Sequence, residues 1–308
     1  MEKKLSLIIP CYNEEQVISQ TADTVIKKLD EFGYSFELIF VNDGSTDGTL
    51  TKLCEISKKD DRVKYISFSR NFGKESAMLA GLEASEGDMT IIMDADLQHP
   101  PELIPTLIQK YEEGYDQVVA CRDREGDSLC GTFFAKLYYK MVNSIIDVKL
   151  YDGAGDFRLL SRRAVDSLIA LKENNRFSKG LFSWIGYPTA YIKYKNRERV
   201  GGITKWSFKR LFNYGIDGIV SFNNKPLRCS MLLGAAFIVI SIIYLLYMLI
   251  SMIMGNALTS ENTTVLLICG LCGTQLFSLG VIGEYIGRIY YEVKRRPTYI
   301  ISETNIKK

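Results

Sequence analysis

The sequence predicts an α/β domain with a mainly parallel sheet and helices on both faces, followed by an interfacial amphipathic helix and two transmembrane helices. Three observations carry this. Short apolar runs alternate with longer, helix-spaced segments over the first 121 residues. Polar residues collect where the apolar runs end. Charge is dense up to about residue 226 and then vanishes from residues 229–260 and 262–283.

In order along the chain, residues 5–10 (LSLIIP), 36–41 (FELIFV), 63–68 (VKYISF), 89–93 (MTIIM) and 117–121 (QVVAC) read as strands, being rich in Ile, Val, Phe and Tyr. Between them, residues 15–32, 49–59, 74–85 and 101–113 have helical spacing. Strand and helix in strict turn build a mainly parallel sheet. Further on, Phe208, Leu211, Phe212, Gly215, Ile216, Ile219 and Val220 share one face, with Lys209, Arg210, Asn213 and Asp217 on others. That is an amphipathic helix opened by Trp206, suited to the headgroup region of a bilayer; packing on the globular domain is its alternative. The two charge-free stretches each reach the roughly 20 apolar residues that a helix needs to cross about 30 Å of hydrocarbon.

The loop 255–264 carries Glu261 and no Lys or Arg. Lys225 and Arg228 stand at the start of the first stretch, and Arg288, Lys294, Arg295 and Arg296 follow the second. The positive-inside rule then puts both termini in the cytoplasm of a two-span cell-membrane protein. The run at 5–10 is too short for the apolar region of a signal peptide, so the residues before the first span are expected to stay cytosolic. The expected organisation is a cytosolic domain at 1–204, a juxtamembrane amphipathic region at 205–226, a two-helix hairpin at 227–287 and a cytosolic basic tail at 288–308.

Composition narrows the function classes. The 308 residues hold 38 Lys and Arg against 36 Asp and Glu, and a net charge of +2 lacks the basic excess of a nucleic-acid binder. With 47% hydrophobic residues the chain is not disordered. Seven cysteines, an odd number without framework spacing, suit a reducing compartment. Cys269 and Cys272 form a C-x-x-C inside the second apolar stretch, where packing is the better reading than redox or zinc chemistry.

Ligands of open parallel sheets sit beyond the carboxyl ends of the strands. There this sequence has Pro10-Cys11-Tyr12-Asn13-Glu14, then Asn42-Asp43-Gly44-Ser45, then Arg70-Asn71-Phe72-Gly73-Lys74, then Asp94-Ala95-Asp96-Leu97-Gln98. A dinucleotide fingerprint needs glycines after the first strand, and residues 10–15 have none. Gly73-Lys74-Glu75 lacks both the leading glycine and the hydroxyl of a phosphate loop. Asp94 and Asp96, two apart at a strand end, point to one side if the segment is extended. Two carboxylates with Gln98 beyond suit a hard cation such as Mg²⁺ or Mn²⁺, completed by water and phosphate oxygens. A soft metal finds little here, since the only histidine is His99.

Together these residues resemble an inverting glycosyltransferase of family 2 with the GT-A fold. The segments at 10–14, 41–47 and 94–98 resemble its nucleotide-sugar signatures, in order. Arg70 to Glu75, Gly155-Asp156-Phe157-Arg158, residues 177–186 and residues 287–297 are similar to the polyprenyl-phosphate branch, which includes the bactoprenol glucosyltransferases and, more distantly, dolichol-phosphate mannose synthase.

The resemblance implies that Pro10, Tyr12 and Glu14 hold uracil and ribose, that Asp43 meets the base, and that Asp94 and Asp96 coordinate the Mg²⁺ or Mn²⁺ bridging the diphosphate. Gln98 would face the sugar, and Lys74 belongs with the nucleotide-sugar set. Asp156 and Asp96 are the catalytic candidates. Asp156 is read as orienting the acceptor or Arg158, because a lipid phosphate is mostly dianionic at pH 7 and needs no strong base. Arg122, Lys136, Arg158, Arg199 and Lys205 are candidates for the lipid phosphate or the diphosphate. Each has a structural alternative: a turn at Pro10 and Tyr12, a capping turn at Asp43-Gly44, surface charge at Arg70 and Lys74, an Asp156–Arg158 ion pair.

The implied reaction moves one sugar, glucose or N-acetylglucosamine, from a UDP-sugar to undecaprenyl phosphate at the cytoplasmic membrane face. A homo-oligomer, on the resemblance a tetramer, is expected. A processive polysaccharide synthase would carry Q-x-x-R-W and more spans; Lys205-Trp206 is only loosely similar. Against a non-catalytic membrane adaptor stand the intact Asp43, Asp94, Asp96 and Asp156.

Overall fold

The computed structural model describes residues 3–123, 153–194, 225–254 and 261–307, with residues 143, 148, 149, 151 and 223 between them. Lys136, Arg199, Lys205 and the expected amphipathic helix lie outside the described residues. The chain falls into two units, one of Met1–Gly218 with Arg296–Lys308, the other of Ile219–Arg295.

The first unit runs β1 (Lys4–Cys11), α1 (Ile18–Phe32), β2 (Ser35–Asn42), α2 (Thr49–Lys59), β3 (Val63–Phe68), α3 (Lys74–Ala84) and β4 (Met89–Ile92). A 3-10 turn (Pro101–Leu103) leads into α4 (Ile104–Glu112), then come β5 (Gln117–Arg122), β6 (Ala154–Ser161), α5 (Arg162–Ala170), α6 (Ser178–Trp184) and β7 (Thr189–Tyr194). One more strand, β8 (Ile301–Thr304), follows the second unit. The eight strands form one sheet in the order β7-β5-β6-β4-β1-β2-β3-β8.

β4, β1, β2 and β3 pair in parallel, as strand–helix alternation predicts. β6 lies antiparallel between β4 and β5, and β8 antiparallel on β3. These two strands and β7 were not expected from the sequence. β1 is central and covered on both faces: Leu5, Leu7, Ile8 and Ile9 are fully buried, each stabilising the fold by about 1.5–3 kcal/mol. α1 buries Ile18, Thr21, Ala22, Val25 and Leu29, one stripe at helical spacing. α3 is buried almost all round, and a Cβ at Gly81 would stand 2.3 Å from Ile8 Cγ2, so glycine lets this helix lie close on β1.

Three boundaries differ from expectation. Residues 14–17 form a turn ahead of α1, with the Val17 and Ile18 amides both donating to Glu14 O. The segment at 101–113 begins as a 3-10 turn because Pro101 and Pro105 each remove an amide donor. At the C-terminal end, Arg296–Lys308 belongs to the first unit. The Tyr65 amide donates to Asn305 Oδ1 at 2.7 Å, the Tyr65 hydroxyl donates to Glu303 at 2.7 Å, and Tyr299 stacks on Phe68.

The second unit is α7 (Lys225–Ile253) and α8 (Glu261–Lys294). Among the described residues one stretch, Leu227–Tyr247, is long and apolar enough to cross a membrane. Its Leu232, Ile238, Ile243 and Leu246 side chains are exposed, an apolar surface that water does not favour. Gly270 of α8 lies against the Phe237 ring of α7, where a Cβ would come within 3.4 Å.

Candidate active site

The parallel strands end on one edge of the sheet, and the loops leaving β1, β2, β3 and β4 surround a cavity of about 850 Å³. Side-chain clamps tie the loops together. After β1 the backbone turns through Asn13 at φ 54°, and the Asn13 amide donates to Ser45 Oγ at 2.9 Å while its Oδ1 accepts from the Thr46 amide at 2.8 Å. The Glu14 amide donates to Thr49 Oγ1 and that of Glu15 to Asp47, while Glu15 Oε2 accepts from the Gly48 amide. The segments at 10–14 and 41–47, separate in the sequence, are thus one wall.

Asp43 is 3% exposed and accepts from the amides of Phe72, at 2.6 Å, and Gly73, at 3.0–3.1 Å. Burial nonetheless pushes its carboxyl above the ordinary range. The loop between β3 and α3 hangs on this residue.

The D-x-D segment is not extended. β4 stops at Ile92, and residues 95–96 form a turn with Leu97 in the left-handed region at φ 57°. Both carboxylates still reach the cavity, because the turn is braced from several sides. Thr21 of α1 donates to Ala95 O at 2.6 Å, the Asp94 amide donates to His99 Nδ1 at 3.1 Å, and the Gln98 amide donates to Asp96 Oδ1 at 3.1 Å. His99 is buried and stacked on Phe157 at 4.9 Å between centroids, and burial lowers its proton affinity, keeping Nδ1 free to accept.

Lys74, the first residue of α3, places Nζ 2.6 Å from Asp94 Oδ1 and 2.6 Å from Asp156 Oδ2. Burial alone would raise the Asp156 carboxyl, but Lys74, Lys179 and Arg158 hold it well below the usual carboxylate range. Next to it Glu75 is pushed up to about 7, by burial and then by the Asp156 charge, while it accepts from the Ser178 amide and hydroxyl. Ser178 opens α6, so Glu75 also sets where Lys179 stands.

The structure therefore brings Pro10, Tyr12, Glu14, Asp43, Lys74, Asp94, Asp96 and Asp156 onto one cavity. Gln98, Arg122 and Arg158 do not line it. Arg158 is 4% exposed, lies over the Phe182 ring at 3.7 Å and donates to Gly155 O at 2.6 Å. Thr21, His99, Glu75 and Lys179 were missed. A lone histidine three residues past Asp96 was a usable signal; nothing in the spacing marked Thr21.

Among the described residues no group of three or more His, Cys, Asp or Glu side chains is arranged to hold a metal. Asp94 and Asp96 offer hard oxygens from two side chains only, and His99 Nδ1 is occupied by an amide. Such a set fits a divalent ion that takes its remaining ligands from water and a substrate's phosphates.

Residues 6–169 match the family described as Glycosyl transferase family 2, and residues 225–289 match the GtrB C-terminal hairpin. The chain is 50% identical over 303 residues to the putative glycosyltransferase CsbB of Bacillus subtilis (strain 168), covering 98% of this chain and 92% of that one. It is 41% identical over 304 residues to the SfII prophage-derived bactoprenol glucosyl transferase of Shigella flexneri, covering 98% of each. Among solved structures it is similar to the mannosyltransferase PcManGT from Pyrobaculum calidifontis, determined with GDP-Man and Mn2+, at a TM-score of 0.50 and 16% identity, covering 71% of this chain and 63% of that one. That last likeness concerns the fold.

Proposed function

The chain belongs to glycosyltransferase family 2, and from that premise we propose that it transfers one sugar from a UDP-sugar to undecaprenyl phosphate at the cytoplasmic face of a membrane. The observation that carries this reading is the braced Asp94–Asp96 turn on one cavity with Lys74 and Asp156, in a chain that also holds a helix long and apolar enough to cross a membrane.

Pro10, Tyr12 and Glu14 hold uracil and ribose, with Asp43 at the base end of the cavity, and Gln98 acts from outside the lining through its amide on Asp96. Asp94 and Asp96 would hold Mg²⁺ or Mn²⁺, which would supply charge neutralisation for the leaving diphosphate. An acceptor phosphate oxygen forms the new bond to the anomeric carbon as the bond to UDP breaks, with inversion, and the electron pair leaves on UDP. The nucleophile is already ionised, so no proton need be removed. The low proton affinity of Asp156 supports an orienting role over that of a base. Among the described residues Lys74 and Lys179 are the cations lining the cavity; Arg122, Lys136, Arg199 and Lys205 are further candidates for the phosphates, whereas Arg158, buried over Phe182, donates to Gly155 O.

Two spans are supported by chain topology. β8 pairs with β3, so the chain before and after the hairpin belongs to one folded unit, which supports both ends lying on the same side of a bilayer. If α7 crosses, the chain must cross back, and the charge-free residues 262–283 of α8 are long enough to do so. Domain, juxtamembrane segment and hairpin follow in that order, with both termini cytoplasmic by the distribution of Lys and Arg.

The test is to incubate the purified protein with undecaprenyl phosphate, Mn²⁺ and radiolabelled UDP-glucose or UDP-N-acetylglucosamine in parallel. A labelled lipid with one donor is expected, and Asp96→Asn should abolish it. No labelled lipid with any common UDP-sugar would sink the proposal.

A further inference from the structure

Lysine is an unfavourable choice for the first residue of a helix, where the macrodipole is already positive. Lys74 stands there nonetheless, following Gly73 at φ 96°, and its ammonium bridges two carboxylates from neighbouring strands. Asp94 follows β4, Asp156 lies on β6, and these strands pair with Ile92 opposite Arg158. Among the described residues eight carboxylates and two lysines, Lys74 and Lys179, line the cavity. Asp94 lines the cavity and is the more accessible of the D-x-D pair, its side chain 31% exposed, and Lys74 Nζ lies 2.6 Å from its Oδ1.

We propose that Lys74 is the resident counter-cation of Asp94 while the donor is absent, and that it couples metal binding to nucleotide binding. The proposal rests on the reading of Asp94 and Asp96 as the metal-holding pair. Lys74 and a divalent ion compete for the charge of Asp94, since the two cations repel each other in a partly dehydrated site. For a bare ion, Lys74 has to give up Asp94 with no new anion in exchange. When the ion arrives with a diphosphate, the released ammonium keeps Asp156 and gains phosphate oxygens. Lys74 thereby disfavours metal alone and favours metal with nucleotide, a coupling that by linkage acts equally on the nucleotide's affinity. It also keeps Asp156 neutralised when the cavity holds no ligand.

The test uses the full-length protein in detergent and Mn²⁺ alone as the probe. Unbound Mn²⁺ is followed by electron paramagnetic resonance, with and without UDP, for wild type, Lys74→Met, Lys74→Arg and the double variant Lys74→Met with Asp94→Asn. Lys74→Met is expected to bind Mn²⁺ alone roughly tenfold more tightly than wild type and to lose a similar factor from the enhancement given by UDP. Lys74→Arg, which keeps the charge, is expected to stay near wild type, and the double variant to lose the gained affinity. Equal Mn²⁺ affinity in wild type and Lys74→Met overturns the proposal, and so does a gain that survives Asp94→Asn. If Lys74→Met does not fold, Lys74→Arg decides alone: a Mn²⁺ affinity tenfold tighter than wild type with the cation retained would overturn the role. No lipid or sugar enters this titration, so its failure is distinct from the failure of the transfer assay.

Discussion

Gly44 to alanine is the substitution with the clearest geometric consequence for the site. Gly44 follows Asp43 at φ 63°, and a Cβ there would stand 2.2 Å from the Arg70 carbonyl carbon and 2.6 Å from both Arg70 O and Asn71 N. All three are backbone atoms, so no rotamer change relieves the overlap. Left-handed backbone costs an alanine about 1–2 kcal/mol, and shifting packed backbone costs about 1–3 kcal/mol more. The expected loss is about 2–5 kcal/mol, or roughly 4–20 °C in the melting temperature of a unit of this size. The displaced loop is the one whose Phe72 and Gly73 amides hold Asp43, so UDP affinity should fall as well. The assay pairs thermal unfolding in detergent with a calorimetric UDP titration. Gly33→Ala is the control: its φ is 70° with nothing within 4 Å of a Cβ, so only the backbone term applies. A Gly44→Ala protein that melts and binds UDP like Gly33→Ala would refute the close-approach argument.

Two further outcomes are expected. Glu37 is fully enclosed, and although burial alone would raise its carboxyl, hydrogen bonds from Lys64, Ser6, the Glu86 amide and Lys4 hold it down at about 2, against an ordinary 4.5. Its folded value is depressed, so as pH falls the unfolded chain takes up the proton first. The contribution, about 3 kcal/mol, is complete above about pH 4.5 and is lost as pH falls toward 2. Denaturation across that range should show the loss in wild type and a shallower acid limb in Glu37→Gln; equal slopes would rule out the network as its source. His99→Phe should keep the stack on Phe157 but leave the Asp94 amide without its acceptor, costing about 1–3 kcal/mol and weakening Mn²⁺–UDP binding more than the binding of UDP without metal. Equal weakening of both would mean that His99 does not act through the D-x-D turn.

Much of the fold was legible because its central strands are buried on both faces and therefore read as unbroken apolar runs bounded by polar turns. β6, β7 and β8 were not legible in this way. β7 alternates half-buried and exposed positions at the sheet edge, and the four residues of β8 are all exposed. β6 carries the polar Gly155-Asp156 at its site end, which hides its strand character. Among the site residues, those on the sheet edge were named because motif and strand end coincide. An extended segment would set Asp94 and Asp96 on one side, whereas the observed turn brings both to the cavity, braced by Thr21 donating to Ala95 O and by the Asp94 amide donating to His99.

What the sequence determined by itself was local: which segments bury apolar faces, where charge stops, and which residues end each parallel strand. These follow from periodicity and composition, properties of neighbours in the chain. What the tertiary structure decided was pairing at a distance. Lys74 meets Asp156 across 82 residues, Asp43 takes the amides of the next loop, and the chain returns after the hairpin to close β8 on β3. Such contacts depend on which elements lie side by side, and no spacing along the chain encodes that. They decide which carboxylates of this cavity are paired with a cation, as Asp94 and Asp156 are with Lys74.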